Sequence, residues 1–250
     1  MGNPVKVRAL VSRVVNHGEG VYTLVLSAER SFPRFRPGQF LHLTVEPYEP
    51  AGGFWPESRV FSIASGQGAE TITIAYSVKG RYTRRIQEAL QEGSTVWVKL
   101  PYGHFIIDSL LTRDQDAVLV AGGTGITPFV PYLEQRLAAG CNGGRLMLYY
   151  GARTPGLILF QELLARCVVS LPGFSLDISI EAGEEPSFAT GGKVHVHSGR
   201  LEIGRIRQDA EGLRNPAFFL SGPLEMIRLF REELAGSGVS RERLYIDEWE

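Results

Sequence analysis

Ala117-Val118-Leu119-Val120-Ala121-Gly122-Gly123-Thr124-Gly125-Ile126-Thr127-Pro128 opens as an unbroken apolar run and closes in a glycine-rich turn. A short run without polar interruption reads as a strand covered on both faces, as in a parallel sheet. Helical periodicity follows over Thr127–Ala139. The same rhythm continues with a strand at Arg145–Tyr150, a helix at Leu159–Cys167 and a strand at Phe174–Ile180. Pro216–Leu220 reads as a further strand, before a helix at Leu224–Ala235 and a last strand at Leu244–Ile246. Alternation of this kind implies right-handed crossovers and a parallel sheet with helices on both faces. Ligands of such sheets bind beyond the carboxyl ends of the strands, where the glycine runs at Gly122 and Gly222 fall.

Upstream the rhythm differs. Val5–Val15, Tyr22–Ser27, Gln39–Val45, Thr71–Tyr76 and Thr95–Leu100 are short, partly alternating and rich in Val, Leu, Ile and Thr. Turn residues separate them, among them Asn16-His17-Gly18, Arg36-Pro37-Gly38, Gly66-Gln67-Gly68 and Glu92-Gly93. One helical stretch, about Thr83–Leu90, interrupts the series. An antiparallel barrel of about six strands is the economical arrangement, because closure removes exposed edges. The predicted architecture is therefore β + α/β, with a barrel domain at 1–110 and an α/β domain at 111–250. The break falls near Asp108–Asp114.

Composition narrows the function classes. The chain has 250 residues, 44% hydrophobic and 21% charged, with a formal net charge of -1. Such a balance gives no global attraction to nucleic acid or an anionic membrane. No apolar run approaches a transmembrane span, and Met1–Val15 lacks the continuous apolar core of a secretory signal. A cytoplasmic protein without stable membrane insertion is expected. Two cysteines, Cys141 and Cys167, are too few for a disulfide framework or a thiolate-held iron–sulfur cluster. His195 and His197 would share one face of a strand, but no third ligand lies nearby, so two exposed strand residues are expected and no metal site.

Three segments carry chemistry. In Gly122-Gly123-Thr124-Gly125, glycines let backbone approach a phosphate, and a following helix N-terminus favours its charge. Thr127 suits the cap of that helix and Pro128 its first position. The spacing is not the usual dinucleotide fingerprint, and a turn that merely packs is the plainer alternative. Arg59-Val60-Phe61-Ser62-Ile63-Ala64-Ser65 joins a phosphate-binding cation, an aromatic face and two hydroxyls; an ordinary amphipathic strand is its alternative. Gly80-Arg81-Tyr82-Thr83 places amides and a hydroxyl at the start of the barrel's helix.

Taken together and in order, these segments resemble the ferredoxin–NADP reductase superfamily over nearly the whole chain. Arg59-Val60-Phe61-Ser62 is similar to its flavin motif, Gly80-x-x-Thr83 to its flavin-pyrophosphate site, and Gly122–Pro128 to its nicotinamide-dinucleotide loop. Tyr150-Gly151-Ala152-Arg153 with Phe160-Gln161-Glu162-Leu163, and Ser221-Gly222-Pro223 with Met226, resemble later segments. Tyr245-Ile246-Asp247-Glu248-Trp249 resembles an acidic–aromatic ending. The resemblance implies a flavin-binding barrel followed by a nicotinamide-dinucleotide domain. Arg59 would hold the flavin phosphates, Phe61 would stack on the flavin ring and Ser62 would lie near its N5. Val60, Gly80, Tyr82 and Thr83 complete the flavin set. Gly122, Gly123, Thr124, Gly125, Thr127, Pro128, Arg153, Gly222 and Pro223 would hold the nicotinamide dinucleotide. Ser221, Glu248 and Trp249 would join Ser62 around the reacting atoms, with Trp249 as the displaceable cover of the ring. Two departures stand out: Ser221 replaces the family's cysteine, and Phe61 replaces its more usual tyrosine.

The expected cofactor is FAD rather than FMN. Glu181, Glu184 and Glu185 supply carboxylates after the strand at Phe174–Ile180, where NADPH users commonly carry Ser and Arg. NADH is therefore expected over NADPH, with Arg153 as the counter-indication. Electrons would leave to a separate acceptor: a ferredoxin, another iron–sulfur or haem protein, or a small molecule. The alternative is a regulatory or electron-transfer subunit that binds flavin or nucleotide with little independent turnover.

Overall fold

A computed structural model of the chain describes residues 3–66, 68, 70–140, 143–188 and 192–247. The first six strands are β1 (Val5–Gly18), β2 (Val21–Ala28), β3 (Phe40–Thr44), β4 (Arg59–Ser62), β5 (Thr71–Ser77) and β6 (Thr95–Tyr102). They form one sheet in the order β4-β3-β6-β1-β2-β5, antiparallel throughout. Alternation drives the curl: Leu41, Leu43, Leu24, Leu26, Ile72, Ile74, Val96, Val98 and Leu100 point to one side and make the barrel's apolar centre. The edge strands meet just beyond β4, where the Ala64 N–H donates to the Thr73 carbonyl at 2.8 Å. The result is a near-barrel.

Helix α1 (Arg81–Ala89) closes one end of the barrel with Tyr82 and Ile86. It starts two residues before the expected Thr83. The Thr83 hydroxyl turns back onto the Lys79 and Gly80 N–H groups, at 3.0 and 3.1 Å, which ties down the first turn. The four-residue α2 (Ile107–Leu110) leads out of the barrel.

The remaining strands are β7 (Ala117–Gly122), β8 (Leu146–Ala152), β9 (Phe174–Ile180), β10 (Val194–Ser198), β11 (Ala217–Ser221) and β12 (Leu244–Ile246). Their order is β10-β9-β8-β7-β11-β12 and every neighbour is parallel. All six residues of β7 are buried, as its unbroken apolar run requires. Helices α3 (Val130–Ala138), α4 (Gln161–Ser170), α5 (Ile203–Ala210) and α6 (Leu224–Gly236) cover the faces. The chain moves outward from β7 to β10 and then returns to β11 on the other side of β7. The order thus reverses between β7 and β11, and the ends of those strands border the crevice where such sheets take ligands. Phe105, Phe129 and Tyr132 continue the sheet's apolar layer to Val21, Ala64 and Ala75 of the barrel, so the two sheets share a core. Among the described residues no helix is long and apolar enough to cross a membrane.

Three features depart from the expectations. Residues Gly123–Phe129 form a 3-10 helix, and the α-helix begins only at Val130, with Pro131 in its first turn. Thr127 is therefore not a cap and Pro128 not a first helical residue: the Thr127 hydroxyl donates back to the Thr124 carbonyl at 2.8 Å. β10 and α5 add a strand and a helix between β9 and β11. On β10, His195 is exposed, but His197 Nε2 lies 2.9 Å from Asp177 Oδ2, and Asp177 also accepts from Arg205 at 3.0 Å.

Asp116 pins the entry to this sheet. Its carboxylate accepts the Arg145 and Arg214 backbone N–H groups, both at 2.8 Å, so one buried side chain ties the starts of β7, β8 and β11. Burial pushes its pKa up, but those N–H donors and the Arg145 guanidinium outweigh burial and hold it below the usual carboxylate range. Asp116→Asn should cost about 2–3 kcal/mol at pH 7, because an amide cannot accept from both sides. A lowered folded pKa contributes stability above the unfolded value and loses it as pH falls through the folded one. Urea unfolding should therefore show a gap between variant and wild type that narrows toward pH 3; a constant gap would rule out the charge as its source.

Candidate functional site

Ser62 ends β4 in the barrel, Ser221 ends β11 in the parallel sheet, and Asp247 follows β12. β12 pairs with β11 in the register Leu220↔Ile246, so residue 247 lies beside residue 221. The Asp247 N–H donates to the Leu220 carbonyl at 2.9 Å and fixes that placement. The Ser221 hydroxyl then lies 3.1 Å, and that of Ser62 3.5 Å, from the same oxygen, Asp247 Oδ2. All three are buried, at 4%, 1% and 4% exposure for Ser62, Ser221 and Asp247. Groups far apart in sequence thus converge where the barrel meets the crevice of the parallel sheet. Both serine hydroxyls are placed to donate to that oxygen and so turn their lone pairs elsewhere.

The glycines around this cluster serve the contact between two loops. A Cβ on Gly125 would fall 2.3 Å from the Ser221 carbonyl oxygen and 2.6 Å from Gly222 Cα. One on Gly122 would meet Pro223 Cδ at 2.7 Å and Met226 Sδ at 2.9 Å. Gly123 differs: its φ is +55°, and nothing lies within 4 Å of a Cβ there. Gly122 and Gly125 therefore allow the two loops to approach this closely. Gly123 and Thr124 are the half-exposed part of the loop, open to a ligand.

On the barrel side, Arg59 is exposed with its guanidinium 4.5 Å above the Tyr82 ring. Its Nη2 pairs with Glu57 Oε1 at 2.9 Å. Tyr82 is held by its hydroxyl, which donates to the Glu57 carbonyl at 2.7 Å. The cation is thus oriented by an aromatic face from the first turn of α1 and by a carboxylate. Val60 is half-buried, and Phe61 lies in the barrel's apolar cluster with its ring edge-on to Tyr76, 6.1 Å between centroids. At the far end of the crevice, Arg153 pairs with Glu19 at 3.1 Å. Glu248 and Trp249 lie outside the described residues. Burial pushes the Cys167 thiol up to about 12, which leaves it an unreactive core residue at neutral pH.

Sequence reading missed Asp247 as a site residue, although it stands in the quoted ending. No local sequence signal marks it: the pairing of β12 with β11 sets residue 247 beside Ser221.

Residues 119–232 match the family model described as oxidoreductase NAD-binding domain. A ferredoxin–NADP reductase B from Sorangium cellulosum is 28% identical over 223 residues, covering 86% of both chains. The chain is thus similar to a ferredoxin–NADP reductase over most of its length. A flavohemoprotein from Rhizobium meliloti is 22% identical over 220 residues, covering 85% of this chain and 52% of that protein. The chain thus spans about half the length of its flavohemoprotein relatives. The solved ferredoxin NADP+ reductase of Neisseria gonorrhoeae superposes with a TM-score of 0.73 at 19% identity, covering 98% of each chain. At that identity the likeness establishes the shared fold. In superfamily terms, the chain combines the flavin-binding near-barrel with the nucleotide-binding parallel sheet.

Proposed function

We propose that this chain binds FAD, takes a hydride from NADH and delivers electrons to a separate acceptor: a ferredoxin, another iron–sulfur or haem protein, or a small molecule. The observation that carries this reading is the meeting of Ser62 and Ser221 on Asp247 at the crevice between the two sheets. A redox cofactor held by the barrel and a dinucleotide held by the sheet both have to reach that point. When bound, FAD accepts two electrons as hydride and can release them singly.

The residues present fit that cofactor. Arg59, fixed over Tyr82, offers a guanidinium for the pyrophosphate, and Gly80 and Thr83 offer the start of α1. A pyrophosphate site of that extent favours FAD over FMN. Val60 and Phe61 would supply apolar surface near the ring, and Ser62 would place its hydroxyl beside the reacting atoms with its proton held toward Asp247. Gly123 and Thr124 would receive the dinucleotide phosphates, with Gly122, Gly125, Thr127, Pro128, Gly222 and Pro223 shaping the loop behind them. Glu181, Glu184 and Glu185 support NADH over NADPH. Glu248 and Trp249 keep their proposed place near the ring. We divide the chain into domains at 110/111 and place it in the cytoplasm, with no nucleic-acid partner, in keeping with its net charge of -1.

An anaerobic absorbance spectrum of the FAD-reconstituted protein, followed by NADH or NADPH in turn, tests the proposal. Rapid bleaching of a flavin spectrum by NADH is expected. Bound flavin that neither nucleotide bleaches would favour a regulatory or electron-transfer subunit, and failure to bind FAD would sink the reading. Arg59→Ala should weaken FAD retention by about 10- to 100-fold, the worth of a lost charge-assisted hydrogen bond. Unchanged flavin content after gel filtration would remove Arg59 from the site.

A further inference from the structure

The tip of the β1–β2 hairpin belongs to the barrel, yet its side chain reaches the carboxyl edge of the parallel sheet. Glu19 Oε2 lies 3.1 Å from Arg153 Nη1, and Glu19 Oε1 accepts from the Thr154 hydroxyl at 3.3 Å. We propose that Glu19 is a specificity-determining residue for the dinucleotide: by occupying Arg153 it selects against a 2′-phosphate. The inference rests on the dinucleotide site proposed above and extends it to a residue of the other domain.

Both partners are held in place. Gly18, Glu19 and Gly20 have φ of 88°, 49° and 74°, a left-handed turn in which glycine or asparagine would be the easier middle residue. Glutamate gains nothing for that backbone, so its side chain is what the position uses. The hairpin is anchored by the Val78 N–H, which donates to the Gly20 carbonyl at 2.8 Å. Arg153 directly follows β8, and the Ala182 N–H donates to its carbonyl at 2.8 Å, fixing it against the end of β9. The other cation at this edge is treated alike: Arg200, after β10, pairs with Glu181 at 3.0 Å.

Each arginine at the carboxyl ends of β8 and β10 is therefore matched by a carboxylate. A dianionic 2′-phosphate entering there must displace Glu19 from Arg153 and lie close to its charge. A ribose hydroxyl carries no charge and can donate to a carboxylate, so it meets no such opposition. Selection in this form comes from repulsion as much as from attraction.

The test is calorimetric titration of the FAD-loaded protein with 2′,5′-ADP and with 5′-AMP, which differ by the 2′-phosphate. Glu19→Gln should raise the ratio of 2′,5′-ADP to 5′-AMP affinity about fivefold at low salt, a size suited to an exposed pair. Glu19→Gly, which suits the left-handed turn, should do the same, and adding Arg153→Gln should cancel the gain. A ratio unmoved in both Glu19 variants, with both nucleotides still binding, would overturn the role of Glu19 and leave the proposed reductase standing. Binding of neither nucleotide to the wild type would overturn the dinucleotide site itself, and the role of Glu19 with it.

Discussion

Asp247→Asn should slow reduction of bound FAD by NADH about 100-fold while leaving the flavin in place, a loss typical of removing one preorganised polar group from a reacting site. The reason lies in what a carboxylate forbids. Asp247 Oδ2 receives the hydroxyls of Ser221 at 3.1 Å and Ser62 at 3.5 Å, in a setting where all three are buried. Both hydroxyls are placed to donate inward to Asp247 Oδ2, and both then present lone pairs outward. An asparagine amide of nearly the same shape brings an N–H₂ group that lets either serine accept instead. The orientation of both hydroxyls is then lost, while the packing around them is kept. Stopped-flow bleaching under anaerobic conditions reads the effect. A rate within twofold of wild type would remove Asp247 from the reaction. Because the three groups act as a unit, Ser221→Ala combined with Asp247→Asn should cost much less than the product of the single losses.

Ser62 was legible as a hydroxyl in the Arg59–Ser65 strand and was given its place by the family resemblance, and Ser221 was legible through the resemblance of Ser221-Gly222-Pro223 to a family segment. Asp247 was not, since its place depends on β12 choosing β11 as neighbour, and no local pattern encodes that choice. Similar reasons govern the fold. The buried run at 117–121 and the alternation in the barrel announce themselves, because each strand there buries one or both faces. β10 is an edge strand with two histidines in five residues, and α5 carries only Ile203, Ile206 and Ala210 on its buried side among charged neighbours. Their weak apolar signal hid them. Thr127-Pro128 has the chemistry of a helix start, yet the close approach of Gly125 to Ser221 winds the chain into a tighter turn first. That is a tertiary constraint overriding a local preference.

The same contact makes Gly125→Ala a severely damaging single-methyl change. Its Cβ would stand 2.3 Å from the Ser221 carbonyl oxygen, 2.5 Å from the carbonyl carbon and 2.6 Å from Gly222 Cα. These are backbone atoms of β11 and the turn after it, so no side chain can rotate away to make room. Either the 123–129 turn lifts from the sheet or β11 shifts, and the second would carry Ser221 away from Asp247. Overpacking of this kind costs about 1–3 kcal/mol, with larger values where backbone must move. Gly123→Ala is the internal control: it meets no atom within 4 Å and carries only the penalty of its +55° φ, about 1–2 kcal/mol. Gly125→Ala should therefore weaken NADH binding at least tenfold and lower the unfolding midpoint. Gly123→Asn, which tolerates the left-handed region, should leave the midpoint near wild type. Equal midpoints for Gly125→Ala and Gly123→Asn would show that the loop is held by its ligand contacts rather than by its backbone contact with β11.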